Sequence, residues 1–323
     1  MKWYDIKDRE KKLRAFNIII GGRGIGKTYS AISYCLNAGS KFIYMRNTDV
    51  QIKESASEFG NPFKRWALDH SRDIRICNEG KHAAIREYTE DEYKTIGYAV
   101  SLSTSGNLRG VDLSDVSMIL YDEFIEMQPP RFDQYEYFIK FYETVNRNRE
   151  ILGDEPVKVI MLSNAQKLDN GILRGLGLIP VIEGMIKSGQ KEYSAPQIFL
   201  QLPQSEVSEA KRNTALYIAA NKSNAAREAL NNEFANDDFW GIGIRPLAEY
   251  IPVCAFDDVY IYKHKSDLSY YCCDIPANNI PRYKSRNPVL FYRYWLPKLG
   301  AAYAVNKLFY SDFVIKSQII SLF

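Results

Sequence analysis

The chain has 323 residues, 46% of them apolar and 25% charged, and a formal net charge of +3. That length suits two domains, and ordinary apolar content excludes a disordered chain. The near balance of 42 basic against 39 acidic residues excludes a protein that coats nucleic acid over its whole surface, so any such contact must be local. The excess is uneven: residues 246–323 carry nine Lys/Arg against six Asp/Glu, and the rest of the chain balances. The five cysteines (35, 77, 254, 272 and 273) include no CxxC pair and read as reduced thiols. The three histidines are scattered and form no metal cluster. No apolar run reaches the roughly 18 residues a membrane span needs, and the charged start MKWYDIKDREKKLRAF does not read as a signal peptide. Aromatic residues reach 13%, with 23 tyrosines, a residue type suited to wet interfaces.

In chain order, FNIII (16–20) reads as a buried strand, 28–38 as a helix ended by Gly39, and KFIYMR (41–46) as a second strand. Residues 55–70 have helical spacing. Residues 74–88 suggest a hairpin around Asn78-Glu79-Gly80, and 97–103 a further strand. VSMILY (116–121) is a buried strand running into Asp122-Glu123; 132–149 is helical; VKVIML (157–162) is another buried strand, closed by Ser163-Asn164. Strands alternating with helices argue for a mostly parallel α/β sheet, with its ligand edge at the strand C-termini. Residues 205–234 are polar and alanine-rich and read as a helical linker or lid. From 248 the pattern turns to short β runs (EYIPVCAF, VYIYKH, LSYYCCDI), with helical spacing again over 301–322, which suggests a small α+β domain. The expected division is an α/β domain over 1–200, a linker over 201–245 and a C-terminal domain over 246–323.

Gly21-Gly22-Arg23-Gly24-Ile25-Gly26-Lys27-Thr28 fits G-x4-G-K-[ST], between a strand and a helix as that motif requires. Glycines let the backbone wrap a phosphate with its N–H groups inward, Lys27 reaches the β- and γ-phosphates, and Thr28 offers a hydroxyl to Mg²⁺. Asp122 would hold the Mg²⁺, and Glu123 would polarise the attacking water, which marks an ATP hydrolase rather than a small-molecule kinase. Ser163-Asn164 can sense the γ-phosphate or simply start a turn. Arg147 and Arg149 in TVNRNRE either supply charge to the transition state or answer the helix dipole. Trp3, Tyr4 and Phe16 are candidates for the adenine pocket.

GGRGIGKTYS, VSMILYDEF, TVNRNRE and VIMLSNA, in that order, resemble the DNA-packaging motor ATPases of small tailed bacteriophages of the phi-twenty-nine type, most strongly over residues 15–170. The resemblance implies a RecA-like ASCE P-loop domain, a helical linker and a C-terminal domain like a degenerate RNase H nuclease. It implies a homo-oligomeric ring, usually of five, on the portal of a viral prohead in the host cytoplasm, threading double-stranded DNA and in some phages docking on a structural prohead RNA. It maps a trans-acting arginine to Arg147 and a second trans-acting cation to Arg109. Candidate DNA-gripping residues are Arg46, Lys53 and Lys64, with Arg46 alternatively coupling Glu123 to DNA; for Lys53 and Lys64 a solvated helix face is the competing reading. In the C-terminal region YIPVCAF has no acid within the strand, Asp257-Asp258 fall in a turn and Asp274 closes a strand, so no nuclease is expected. RYKSRN (282–287), Lys263, Lys265 and Arg293 suit RNA backbone contact or a plain basic loop. Two alternatives to a translocase remain: another ASCE enzyme, such as a helicase loader or segregation ATPase, and a nucleotide-gated scaffold without turnover.

Overall fold

The computed structural model describes residues 2–79, 82–108, 110–126, 132–164, 167–219 and 239–323. Two compact units form, Met1–Gly175 with Gly184–Asn236, and Leu176–Glu183 with Asp237–Phe323.

The first unit is built on β1 (Phe16–Ile20), β2 (Lys41–Arg46), β3 (Asp73–Glu79), β4 (His82–Tyr88), β5 (Tyr93–Ser101), β6 (Val116–Asp122), β7 (Lys158–Ser163), β8 (Glu192–Ser194) and β9 (Ile198–Gln201). They form one sheet in the order β3-β4-β5-β2-β6-β7-β1-β9-β8. From β5 to β9 every pairing is parallel. Strands covered on both faces must be apolar throughout rather than alternating, which is why FNIII, KFIYMR, VSMILY and VKVIML carry the central positions. The edges, β3, β4 and β8, pair antiparallel. The strand pair β8 and β9 escaped the sequence reading because three or four residues give no measurable period. Since β9 runs beside β1, the strand leading to the glycine loop is interior.

Helix α1 (Lys27–Asn37) follows β1 and buries Ala31, Ile32 and Cys35 in the core, with Ile19, Phe42, Tyr44, Phe63 and Trp66. Of the helix expected over 55–70 only α3 (Lys64–Asp69) forms; α2 (Asp49–Ser55), capped by Thr48 with Gln51 returning the bond, ends where that helix was expected to begin. Gly60-Asn61-Pro62 lies between them. Proline removes a donor and biases its predecessor away from the helical region, and Asn61 turns its amide to the Ile74 carbonyl at 2.9 Å. Helix α4 (Gln134–Asn146) stops short of 149, because Arg147 takes φ 48°. A further addition is the 3₁₀ segment Ile6–Lys12, whose charged sequence hides that Ile6 is fully buried.

In the second unit β10 (Tyr250–Phe256), β11 (Val259–His264) and β12 (Tyr270–Cys273) form an antiparallel meander. Two short strands, β13 (Arg282–Tyr283) and β14 (Leu308–Tyr310), add parallel to its edges, giving the order β13-β10-β11-β12-β14. The single helix expected over 301–322 is interrupted: one helix runs Leu296–Ala304, Asn306 turns at φ 57°, β14 follows, and a new helix, Phe313–Ile320, starts where Asp312 caps the Ile315 N–H at 3.0 Å. Of the 201–245 segment, Glu206–Arg212 and Ala215–Ala219 are helical, while 220–238 lies outside the described residues. No helix among the described residues is long and apolar enough to cross a membrane.

Candidate nucleotide-binding and hydrolysis site

Three parallel strands, β1, β7 and β6, end side by side, and the polar residues after them converge. Gly21–Gly26 loops from β1 into α1, with Gly24 and Gly26 at φ 67° and 101°, a region that strains any residue with a Cβ. Gly26 is the residue preceding α1 and supplies no side-chain cap, so the helix presents its N-terminal N–H groups to an anion. Lys27, 7% exposed, folds its ammonium onto the carbonyls of Gly21 (2.9 Å) and Gly22 (2.8 Å) and the Asn164 Oδ1 (3.1 Å). Burial pulls its pKa down to about 8, opposed by Asp122 and reinforced by Lys211.

The Thr28 hydroxyl donates to Asp122 at 3.2 and 3.4 Å, which joins the β1 and β6 motifs directly. Asp122 also accepts from the Tyr44 hydroxyl at 3.4 Å. Burial raises its carboxyl above the ordinary range, against the pull of Arg46. A buried carboxylate beside a threonine hydroxyl and a phosphate loop is the donor set Mg²⁺ prefers, hard oxygens with room for water and phosphate, so the residues fit a magnesium–nucleotide complex. Among the described residues no group of three or more His, Cys, Asp or Glu makes an all-protein metal cage.

Glu123 stands at φ 52°, an uncommon conformation for a non-glycine residue. Its N–H donates to Asp122 Oδ1 (3.1 Å) and its carbonyl accepts from Asn47 Nδ2 (3.1 Å). Behind it a buried network holds the turn: Gln134 donates to Asn47 Oδ1 (2.8 Å), the Tyr121 hydroxyl (3.0 Å) and the Phe124 carbonyl (2.6 Å), and Asn170 donates to Gln134 (2.8 Å). A fully satisfied buried network of this kind can hold one strained residue in place. The Glu123 carboxylate accepts from Arg46 NH2 at 2.5 Å, and Arg46 NH1 reaches the Tyr44 hydroxyl at 3.3 Å. Arg46 is 16% exposed and Glu123 53%, so solvent weakens the pair to about 1 kcal/mol or less. The Arg46 Nε is buried without a partner, a further sign that this guanidinium is not held in its best arrangement.

Arg147 lies elsewhere. Its guanidinium donates to the Val111 carbonyl at 3.0 Å, with the Asp112 carboxylate at 3.8 Å, and Arg149 donates to the carbonyls of Ser114 (2.6 Å) and Val116 (2.7 Å). These partners precede or open β6, whereas Glu123 follows its end. Six steps of a strand separate the two, about 20 Å, beyond the reach of an arginine side chain. The structure therefore does not bring Arg147 or Arg149 to the Glu123 of the same chain. Arg109 lies outside the described residues.

The model of the family described as Podovirus DNA encapsidation protein (Gp16) matches residues 2–248. The chain belongs to this family. It is 26% identical over 236 residues to the DNA packaging protein of Bacillus phage B103, covering 69% of this chain and 65% of that relative. It is 26% identical over 233 residues to the DNA packaging protein of Bacillus phage phi29, covering 69% of this chain and 63% of that one. The matches thus span less than two thirds of the length of these curated relatives. Among solved structures, the bacteriophage Phi-29 viral genome packaging motor assembly superposes with a TM-score of 0.65 at 19% identity, over 99% of this chain and 98% of that one. The Phi-28 gp11 DNA packaging motor gives 0.61 at 18%, over 96% and 94%. At such identities the likeness is one of fold.

Other sequence candidates of this Gp16-family chain take distinct positions. Ser163 is at the loop, but its hydroxyl donates to the Ile125 carbonyl (3.3 Å) and its own carbonyl accepts the Gly21 N–H (3.1 Å), so Asn164 is the side chain turned to Lys27. Ile25 is buried and its carbonyl accepts the Tyr4 N–H at 3.0 Å, which brings Trp3 and Tyr4 beside Gly26. Phe16 is not there: it opens β1 at the opposite end and packs on Phe138 and Tyr142. Arg46 is occupied by Glu123 rather than free for DNA. Lys53 is exposed on α2, and Lys64, exposed on α3, has the Glu58 carboxylate at 3.8 Å. In the second unit Arg282 lies over the Tyr260 ring at 5.5 Å, whereas Lys263 lies three steps along β11 from Tyr260, about 10 Å away, and Lys265 donates to the Ala248 carbonyl at 2.6 Å. The basic residues there form two groups rather than one. Tyr44, Asn47, Gln134, Asn170 and Lys211 were not legible as site residues; a buried polar residue among apolar ones, as at Asn47 and Gln134, is the only mark they leave.

Proposed function

We propose that this chain is the ATPase subunit of a viral genome-packaging motor, hydrolysing MgATP and using it to drive double-stranded DNA into a prohead. The observation that carries the hydrolytic reading is the meeting of Lys27, Thr28, Asp122, Glu123 and Asn164 at the ends of three adjacent strands. Bound at Gly21–Thr28, with Arg23 on the lip of the loop, ATP would lie with its phosphates against the α1 N-terminus and the Lys27 ammonium. Thr28 and Asp122 would hold Mg²⁺, which supplies charge neutralisation to the phosphates when bound. Glu123 takes the proton of the attacking water, and Asn164 lies where it can meet the γ-phosphate or that water.

Two features favour a motor over a solitary hydrolase. Arg147 is about 20 Å from its own Glu123 and half-exposed, so its charge serves a neighbouring copy in a ring, and the family relationship assigns Arg109 the same trans role. Arg46 holds Glu123 by a pair weak enough to exchange. Phosphates of DNA arriving near Lys53 and Lys64, on the elements that follow β2, would compete for Arg46 and free Glu123. The family relationship supports a pentameric ring at a prohead portal in the host cytoplasm. A structural RNA would be met by Arg282, Lys284 and Arg286 in the second unit, which we read as the vestigial nuclease-like domain, without nuclease activity. The domain limits 1–200, 201–245 and 246–323 belong to the same proposal. The test is to mix the purified chain with cognate empty proheads, linear DNA and MgATP. Nuclease-protected DNA that depends on Lys27 and Glu123 supports the reading; hydrolysis without any protected DNA refutes the packaging part.

A further inference from the structure

The phosphate loop has a neighbour that neither motif includes. Helix Glu206–Arg212 carries Lys211, whose ammonium donates to the Arg23 carbonyl at 2.5 Å and would lie 2.7 Å from a Cβ added to Gly24. A lysine in the last turn of a helix usually answers its own helix's carbonyls; this one reaches across 188 positions to another loop. Among the described residues no carboxylate lies within ion-pair distance of Lys211 or of Arg23. Burial, and then the Arg23 cation, lower the Lys211 pKa. Lys211 in turn helps lower that of Lys27.

Charge counting gives this arrangement a direction. Arg46 is matched by Glu123, and Lys27 is held chiefly by Asp122, whereas Arg23 and Lys211 add two further cations at the same loop with no carboxylate of their own among the described residues. Three cations gathered at one loop repel each other until an anion enters, and that loop is shaped for phosphate. A neutral carbonyl is a weak partner for an ammonium; a phosphate oxygen is a strong one. We propose that Lys211 is a nucleotide-binding residue, a second lysine that gives up the Arg23 carbonyl for a phosphate oxygen when ATP binds and thereby ties helix Glu206–Arg212 to nucleotide occupancy. The proposal rests on the ATP reading of Gly21–Thr28 and adds to it a residue outside both motifs.

The competing role is a structural staple that only holds the loop. The two part on measurable ground. Full-length chain carrying Glu123→Gln, to prevent turnover, is titrated with MgATP by calorimetry, with Lys211 native or changed by Lys211→Met or Lys211→Arg, and melting is followed with and without MgATP. A phosphate ligand predicts roughly tenfold weaker binding for Lys211→Met, recovery to within about threefold for Lys211→Arg, and a nucleotide-free Tm unchanged or raised because a repelled cation is gone. Unchanged affinity in Lys211→Met overturns the proposal, as does weaker binding together with a lowered nucleotide-free Tm. Failure of the Lys211-native chain itself to bind MgATP, with loss of Lys27 making no difference, would instead remove the ATP reading on which the proposal stands.

Discussion

Lys27 offers the sharpest quantitative test of the site, because its protonation must change when nucleotide binds. The residue is 7% exposed, its ammonium hydrogen-bonds neutral oxygens, and burial holds its pKa at about 8. Phosphates beside it favour the charged form, so the pKa rises on binding. In free protein at pH 8 about half the lysines are neutral, so binding takes up about 0.5 proton; at pH 6.5 the figure is roughly 0.03. Since the bound state holds more protons, affinity falls as pH rises through 8, approaching tenfold per unit until the bound-state pKa is reached. Asp122 contributes with opposite sign: burial raises its carboxyl, so metal binding releases a proton, a release that shrinks as pH rises and is common to the native and Lys27→Arg chains. The difference in proton count between the native and Lys27→Arg chains therefore isolates the lysine. Calorimetry of MgATP binding to Glu123→Gln chain, in two buffers of unlike ionisation enthalpy at each pH, reads the proton count directly. Lys27→Arg should cancel the effect, because a guanidinium does not titrate in this range. A count that does not increase between pH 6.5 and 8, or that persists undiminished in Lys27→Arg, refutes the reasoning.

Glu123→Gln should lower hydrolysis by about 10²–10⁴-fold while leaving MgATP binding within a few-fold, measured by phosphate release and calorimetry. Arg147→Ala should also be inactive, and mixing it with Glu123→Gln chain should restore part of the activity, since the first keeps a working base and the second a working arginine; no recovery at any ratio argues against sharing between copies. Arg46→Ala removes a pair worth about 1 kcal/mol or less, so DNA-independent hydrolysis should rise by up to about fivefold and DNA stimulation should shrink correspondingly. Gly97→Ala places a methyl 2.3 Å from the Phe42 backbone carbonyl between β5 and β2, which should cost about 1–3 kcal/mol and several degrees of Tm, whereas Gly106→Ala, with open space at its Cβ, should melt like the parent.

What the sequence made legible is what is local. The glycine loop declares itself because phosphate binding, the left-handed turns at Gly24 and Gly26 and the start of α1 all fall within eight residues. Buried parallel strands declare themselves because burial on both faces leaves an unbroken apolar run. Helix breaks were partly readable: Gly60-Asn61-Pro62 is a written interruption, while the turn at Arg147 is carried by an arginine whose preference for such a turn is weak. Contacts that span the chain are not written as patterns at all. Arg46 meets Glu123 across 77 positions, Gln134 meets Asn47 across 87, and Lys211 meets Arg23 across 188. Each is a charged or amide residue that reads as ordinary surface until the sheet order is known. The same limit explains Arg147. Two basic residues at a helix end support either a dipole partner or a catalytic cation, and no spacing rule separates them. The order β6-β7-β1 excludes only action at the chain's own loop, because it puts the glycine loop at one end of β6 and the Arg147 contacts at the other. A half-exposed cation at that distance from the glycine loop of its own chain either holds the Val111 loop or acts on another copy, and mixing Arg147→Ala with Glu123→Gln chain decides between the two.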